Sequence, residues 1–427
     1  MRYVIIGAGP AGLAAVEAIR EVDVEGEVTL LTMEDVPAYS KPLITYLLGK
    51  KVQEKNMLYR TREFFDEYRV EVRTGAEVVR VDTDSNMVYL KNGEGLSYDR
   101  LLIATGGVPF KPPIEGLEKE GVFTFTRWCD EKDMAEYIER NGVHEAVVLG
   151  GGLIGLKTTE ALMELGIKVH IVELADRILA ATFDKKASEI ITRALEKEGC
   201  EVHTNDTVVQ VKGGKRISRV ILKSGKEIKI RLLVVAIGVT PNVGFLRDSG
   251  VRLGRRGIMV DDRMRTSISN IYAAGDCTEV LDESTGEWRT IAIWPIASAQ
   301  GKVAGYNMAG REVRYQGGIP MNSVELAGIP TISVGYTNVE GDDVEILKYE
   351  DPSSSVYKKL VIKNNKLIGA VFVGDIDRAG IYTGLITHGV DVSTFKDALL
   401  DECFGLIYLP KEYRKKLIEG ELKVWLE

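Results

Sequence analysis

Two widely separated copies of one pattern (a strand, G-x-G-x-x-G, a helix and a second strand) predict an α/β protein with two Rossmann-like dinucleotide-binding domains. A change after Gly310 to short strands joined by tight turns adds a smaller α+β C-terminal domain. The length agrees, since 427 residues exceed one compact core and suit two to three domains.

The first copy opens with Tyr3, Val4, Ile5 and Ile6, an unbroken apolar run such as a parallel strand covered on both faces requires. Gly7-Ala8-Gly9-Pro10-Ala11-Gly12 follows, then a helical pattern over 13–21 and a strand over 27–31. The second copy runs from a strand at 146–149 through Gly150-Gly151-Gly152-Leu153-Ile154-Gly155 into a helix ending at Leu165 and a strand at 168–172. A lone G-x-G-x-x-G says little, but two in this setting are specific. The first glycine permits a tight turn, the second lets backbone approach a pyrophosphate, and the third lets helix pack against strand. Free N–H groups at the helix N-terminus then attract phosphate. Each unit also needs a carboxylate for a ribose about 20 residues onward. Glu34 lies 22 residues after Gly12, and Glu173 lies 18 after Gly155. Glu173 ends its strand, whereas Glu34 must reach back from a loop after Thr32.

Further along, 98–107 and 232–242 read as strands running into glycine turns, and 271–276 as a strand ending on an acid. The Pro- and Gly-rich stretch 109–116 reads as a linker into the second unit. In the tail, strands at 358–363 and 366–373 flank an Asn364-Asn365 turn.

Composition narrows the function. A net charge of -8 lacks the basic footprint of a general nucleic-acid binder. Apolar runs such as 232–238 fall far short of the roughly 18 residues that cross a membrane. The N-terminus enters a strand directly, without the form of a signal peptide, so the expected compartment is the cytoplasm. Cys129, Cys200, Cys277 and Cys403 make no C-x-x-C pair and no metal motif, and read as reduced thiols used as small hydrophobes. Glutamine occurs only at 53, 210, 300 and 316 among abundant Lys, Arg and Glu, a composition that points to a thermophilic source.

With these motifs in order, residues 1 to about 310 resemble the FAD-dependent pyridine nucleotide-disulfide oxidoreductases. That family includes disulfide reductases, NADH oxidases, rubredoxin reductases and the reductase part of nitrite reductase. The resemblance implies an NAD domain (111–235) inserted into an FAD domain (1–110 and 236–310), with the tail (311–427) as a smaller domain suited to homodimer contact. It also implies FAD on Gly7 to Gly12 with Glu34, on Ala104-Thr105-Gly106 where the chain crosses to the NAD domain, and on Gly275-Asp276. Asp276 would hold the ribityl and pyrophosphate region; its other reading is a helix N-cap. Val78 and Val79 fall where relatives touch the adenine through backbone groups. Trp294-Pro295-Ile296-Ala297 starts a helix, with Pro295 suited to a first turn, and in relatives this N-terminus faces the flavin pyrimidine, placing Trp294 and Ala297 there. NADH would lie on Gly150 to Gly155, Glu173 and the Ile237-Gly238 turn. A carboxylate at Glu173 favours NADH over NADPH by repelling a 2′-phosphate, with Arg177 the residue that would offset this.

Two positions depart from the family pattern. Many relatives carry a redox cysteine in the loop after the second strand; here that loop is Tyr39-Ser40-Lys41-Pro42-Leu43-Ile44 and resembles the Lys-Pro form of rubredoxin reductases. Lys41 is then the catalytic candidate, a positive charge beside flavin N5, the alternative being a solvated surface lysine. The residue after the second glycine run is often Glu, but here it is Lys157, which shares its helix with Glu160 and Glu164 and reads as half of a helical ion pair. NADH would reduce FAD, and the second acceptor stays open: oxygen or a small rubredoxin-like protein, an iron–sulfur partner coupled to NAD, or sulfur and polysulfide. A flavin-binding protein without turnover is the reading from another class.

Overall fold

The structure is a computed structural model that describes residues 1–282, 287–339 and 341–420. The end of the tail expected to run to 427 lies outside the described residues.

Two parallel sheets carry the molecule. In the first, Arg2–Ile6 is central, with Glu27–Leu31 and then Val70–Arg73 on one side and Arg100–Ile103 and then Ile271–Ala273 on the other. Tyr3, Val4, Ile5 and Ile6 are all buried, as a strand covered on both faces requires. The second repeats the plan: Glu145–Leu149 is central, flanked by Lys168–Val172 and Glu201–His203 on one side and by Leu232–Val235 and Val122–Thr124 on the other. The repeat goes further than the glycine motifs indicate. Before its return strand each unit inserts a three-stranded antiparallel meander, Val78–Asp82 to Gly95–Ser97 in the first and Val208–Gly213 to Glu227–Lys229 in the second.

The chain leaves the first unit after Arg100–Ile103 and returns to supply its Ile271–Ala273 edge. Gly107–Pro109 and Val239–Pro241 pair antiparallel where it goes out and comes back. Back in the first unit, the helix Trp294–Met308 lies along Pro10–Arg20. The two backbones approach so closely that a Cβ on Gly301 would sit 2.1 Å from the Ala11 carbonyl oxygen. That contact fixes where the Trp294 end of the helix points.

The tail is a five-stranded antiparallel sheet in the order Met321–Leu326, Ile329–Gly335, Lys366–Val373, Val356–Lys363, Val344–Asp351. Asn364 and Asn365 both take positive φ, 51° and 57°, as a two-residue hairpin turn demands. Alternation along Lys366–Val373 splits the core. Val371 and Val373 join the core of the second unit, while Ala370 and Phe372 pack under the helix Ala379–Thr387 with Tyr382 and Leu385. The tail therefore docks on the second unit. Asp184 pins the joint: it caps the helix Lys185–Lys197 through the Ala187 N–H (3.1 Å) and accepts from the Tyr357 hydroxyl (2.6 Å), with Lys359 at 3.4 Å.

Candidate functional site

Where the two sheets end and the tail meets them lies a cleft of about 2000 Å³. A small-molecule site takes roughly 300–1,000 Å³, so this one has room for two nucleotides.

Both glycine runs border it. Gly7 to Ala11 line the cleft from one unit, and Gly150 to Ile154 from the other. Gly7 turns with φ +119° and donates its N–H to Leu31 at 2.8 Å; Gly150 turns with φ +113° and donates to Val172 at 2.8 Å. Gly12 and Gly155 stand behind the lining, and a Cβ on either would lie 2.0 Å from the carbonyl oxygen of the first glycine of its own run. These are the close helix–strand packings that the third glycine serves.

Three helices begin at this cleft, at Gly9, Gly152 and Ile293, and none has a side-chain cap. Among the other helices Asp184 caps Lys185–Lys197, and Asp130 accepts from the N–H groups of Thr126 (2.9 Å) and Arg127 (3.0 Å) at the start of Trp128–Asn141, while Arg62–Glu67, Ala379–Thr387 and Lys411–Glu419 are uncapped as well; what sets the three apart is that they meet at one cavity. Uncapped N-termini converging on one cavity leave N–H donors and positive dipole ends for an anion. This cradle fits a pyrophosphate.

The carboxylates are placed differently. Glu34 accepts from the Tyr39 hydroxyl at 2.6 Å and has the Lys41 ammonium 3.5 Å from its other oxygen. The same Tyr39 hydroxyl accepts from the Trp128 N–H of the second unit at 3.1 Å. Burial, then Glu34, pushes the Tyr39 phenol up and keeps it protonated. Glu173 takes backbone donors instead, from Gly151 (2.6 Å) and Ala175 (2.8 Å). Arg177 is tied to Asp176 at 2.7 Å and to the Phe183 carbonyl at 3.3 Å, outside the lining.

Ala104, Thr105 and Gly106 line the cleft where the chain leaves the first unit, and Ile237 and Gly238 where it returns; the Thr105 hydroxyl donates to the Asn242 carbonyl at 2.8 Å across that crossing. Gly275 and Asp276 form another wall, with the Gly275 N–H held by Gln300 at 2.8 Å. Burial pushes the Asp276 carboxyl up, while Lys41 across the cleft and its own backbone N–H oppose the shift. Lys41, about half exposed at 48%, thus lies within electrostatic reach of both acids. Pro42, Trp294 and Ala297 also line the cleft.

Besides Gly12 and Gly155, one expected position falls outside the lining. Val78 lines the cleft but Val79 is 45% exposed, at a break in strand register between Val78 and Arg80 that leaves it unpaired with the neighbouring strand. Lys157 meets the lining and pairs with Glu160; Glu164 is taken instead by Lys51. The Lys157 ammonium also lies 3.3 Å from the Glu325 carbonyl oxygen and 4.9 Å from the Tyr46 ring centre. Other lining residues were not expected: Arg127 beside the second unit, and Asn322, Ser323 and Thr331 from the tail. Nothing local in the sequence marks these, since tertiary docking brings them in.

Among the described residues no cysteine lines the cleft. Cys277, next to Asp276, is fully buried and donates to the carbonyls of Ala274 (3.3 Å) and Ile103 (3.4 Å); burial pushes its thiol up to about 11, which leaves little thiolate.

Two glycine turns, three open helix ends and the carboxylates Glu34 and Glu173 in one cleft fit a protein that binds two nucleotides. The comparisons agree. The family model described as pyridine nucleotide-disulphide oxidoreductase matches residues 1–301, and the rubredoxin NAD+ reductase C-terminal domain matches 320–390. The chain belongs to the pyridine nucleotide-disulphide oxidoreductase family. It is similar to the NADH oxidase of Methanocaldococcus jannaschii, 33% identical over 79% of this chain and 76% of that protein. It is also similar to the NADH-dependent phenylglyoxylate dehydrogenase subunit epsilon of Aromatoleum evansii, 31% identical over 92% of this chain and 93% of that one. The solved NAD-dependent persulfide reductase of A. fulgidus overlays 99% of this chain and 84% of its own with TM-score 0.86 at 27% identity. The protein is an NAD(P)H-dependent flavin oxidoreductase, with FAD as cofactor and NADH as reductant. No helix among the described residues is long and apolar enough to cross a membrane.

Proposed function

We propose that the chain is an NADH-dependent reductase with FAD as its only redox group, passing electrons to a small one-electron carrier of the rubredoxin type, with oxygen as the lesser acceptor. The observation that carries this is the thiol-free cleft: the loop that brings Tyr39, Lys41 and Pro42 to the lining brings no cysteine. The match of 320–390 to the rubredoxin NAD+ reductase C-terminal domain supports the choice of carrier. The four free cysteines suit a reducing compartment such as the cytoplasm.

In this reading FAD, when bound, would take one hydride, with its electron pair, from the nicotinamide and release the two electrons one at a time. The residues do the holding. Gly7 to Gly12 and the open end of Pro10–Arg20 bind the FAD pyrophosphate, Glu34 takes the adenosine ribose, and Ala76 to Val78 border the adenine. Asp276 would hold the ribityl and pyrophosphate region through its carboxyl, and Ala104 to Gly106 would border it. The uncapped helix end at Trp294 and Ala297, with the Lys41 ammonium, offers positive charge where reduction adds negative charge. Gly150 to Gly155, the Ile237-Gly238 turn and Glu173 take NADH. Arg177 is engaged elsewhere, which leaves the Glu173 carboxylate to choose NADH over NADPH.

Rates with each acceptor alone, under argon for all but oxygen itself, test the choice. A purified rubredoxin-type iron protein should accept electrons from NADH with a kcat/KM about tenfold or more above that for oxygen. A chain that reduces polysulfide quickly and the iron protein not at all is a sulfur reductase instead. The second reading, an electron-transfer subunit feeding NAD from an iron–sulfur partner, draws on the full-length similarity to subunit epsilon. Reduction of NAD+ by a low-potential iron–sulfur protein through this chain would favour it.

A further inference from the structure

Away from the cleft, the outer edge of the second sheet gathers two histidines and a carboxylate. Lys168–Val172 and Glu201–His203 pair in parallel with His170 opposite Glu201 and Val172 opposite His203. The period of two puts Glu201 and His203 on one face of their strand, and the pairing puts His170 on the same face beside them. The result is tight: His170 Nδ1 lies 3.4 Å from His203 Nε2 and 3.3 Å from Glu201 Oε2, and His203 Nε2 lies 3.8 Å from that same oxygen. Ligand atoms at about 2.0–2.1 Å from a tetrahedral ion stand about 3.3–3.4 Å apart, so these three spacings are close to one face of such a tetrahedron.

The far nitrogen of His170 is also occupied as a metal ligand's should be. Nε2 lies 2.9 Å from Glu145 Oε1, and if its N–H donates there, the Nδ1 lone pair faces His203 and Glu201. A carboxylate behind a ligating histidine fixes both tautomer and ring orientation. His170 is buried, with 4% of its side chain exposed, while His203 and Glu201 are open to solvent at 18% and 41%, which gives an ion a way in. A single proton shared among the three acceptors satisfies two of them; a dication satisfies all three.

We propose that His170, Glu201 and His203 bind one divalent transition-metal ion of the zinc class, with solvent at the fourth position. The site pins the edge strand of the second unit. It also lies one hydrogen bond from the NADH carboxylate, since the Glu173 N–H donates to the His203 carbonyl at 2.8 Å. Two lysines shape its affinity. Lys168 holds the other Glu201 oxygen at 2.6 Å and is compatible with an ion; Lys226, 3.6 Å from the ligating oxygen, competes with it. Sequence spacing gave no metal motif because the ligands come from two strands paired across the long stretch between them.

The test uses the FAD-loaded full chain without a histidine tag, stripped by chelator and titrated with Co2+ and then Zn2+. One Co2+ per chain should bind with the strong visible absorption of four-coordinate cobalt and be displaced by Zn2+. His203→Ala, partly exposed and outside the cleft, should weaken binding by about 100-fold or more while flavin content stays at one per chain. Lys226→Met should tighten binding by about tenfold. Substoichiometric binding, octahedral-type weak absorption, or affinity unchanged in a folded, flavin-loaded His203→Ala chain would each overturn the site.

Discussion

The two nucleotide units share a sheet order, a glycine turn and a meander, yet they hold the carboxylates proposed for the riboses by different means. Glu173 is fixed by the backbone N–H groups of Gly151 and Ala175, so the second turn presets the carboxylate proposed as selector. Glu34 is fixed by side chains of the following loop, Tyr39 and Lys41, and Tyr39 is in turn bound to Trp128 of the other unit. A change at Glu173 should therefore stay local to the nicotinamide cofactor. A change in the 39–44 loop should reach FAD and the joint between units as well.

The largest effects should separate the units outright. Gly12→Ala puts a methyl carbon on the Gly7 carbonyl, and Gly155→Ala repeats the clash at Gly150. Gly12→Ala should purify without flavin, whereas Gly155→Ala should keep its yellow colour and lose about 100-fold or more in the rate of reduction by NADH. Loss of flavin from Gly155→Ala would show that the units are not separable in this way. Next comes the selector: Glu173→Gln should lower the NADH to NADPH ratio of kcat/KM by about tenfold, equivalent to about 1.4 kcal/mol, and Glu34→Gln should leave that ratio alone. An unchanged ratio in Glu173→Gln would remove the carboxylate from the selection.

A smaller effect concerns Lys41. Lys41→Met should lower the flavin midpoint potential by about 30 mV, the equivalent of about 1.4 kcal/mol for a two-electron couple, and slow reduction by NADH. If neither moves, the ammonium serves Glu34 alone.

The smallest should appear with pH, at the joint between second unit and tail. Burial works to raise the Asp184 carboxyl, but the Tyr357 hydroxyl, the Ala187 N–H and Lys359 outweigh it and hold it below the ordinary carboxylate range. A depressed folded pKa gives stabilisation that is complete above the unfolded value, about pH 4, and fades as the pH falls below it. Urea unfolding of Asp184→Asn should show a loss of about 1 kcal/mol at pH 7 that shrinks below about pH 4. A loss independent of pH would mean that shape, not charge, is what Asp184 supplies.

The legible parts of this molecule are those ruled by local sterics. The glycine runs, the Asn364-Asn365 turn and the strands Glu27–Leu31, Lys168–Val172 and Lys366–Val373 stand in the sequence as they stand in the fold. The first helix begins at Pro10, earlier than its apolar period from Leu13 indicates, because proline is at ease in a first turn. The meanders were hidden, since strands such as Gly95–Ser97 and Glu227–Lys229 are too short and polar to show a period. Long-range contacts were hidden too. Tyr39 was legible as a loop residue, but its bridge from Glu34 to Trp128 exists only once the second unit has docked. Lys157 was legible as half of a helical pair, while its contact with Glu325 belongs to the tail.

One flavin as the only redox group in this cleft is a countable property. Anaerobic titration of the FAD-loaded chain with dithionite measures it directly. Full reduction at two electrons per FAD, with no long-wavelength thiolate–flavin charge-transfer band, is the predicted result. Uptake of four electrons with such a band would contradict it and reveal a redox-active thiol, with Cys277 and Cys403 the ones to alkylate next.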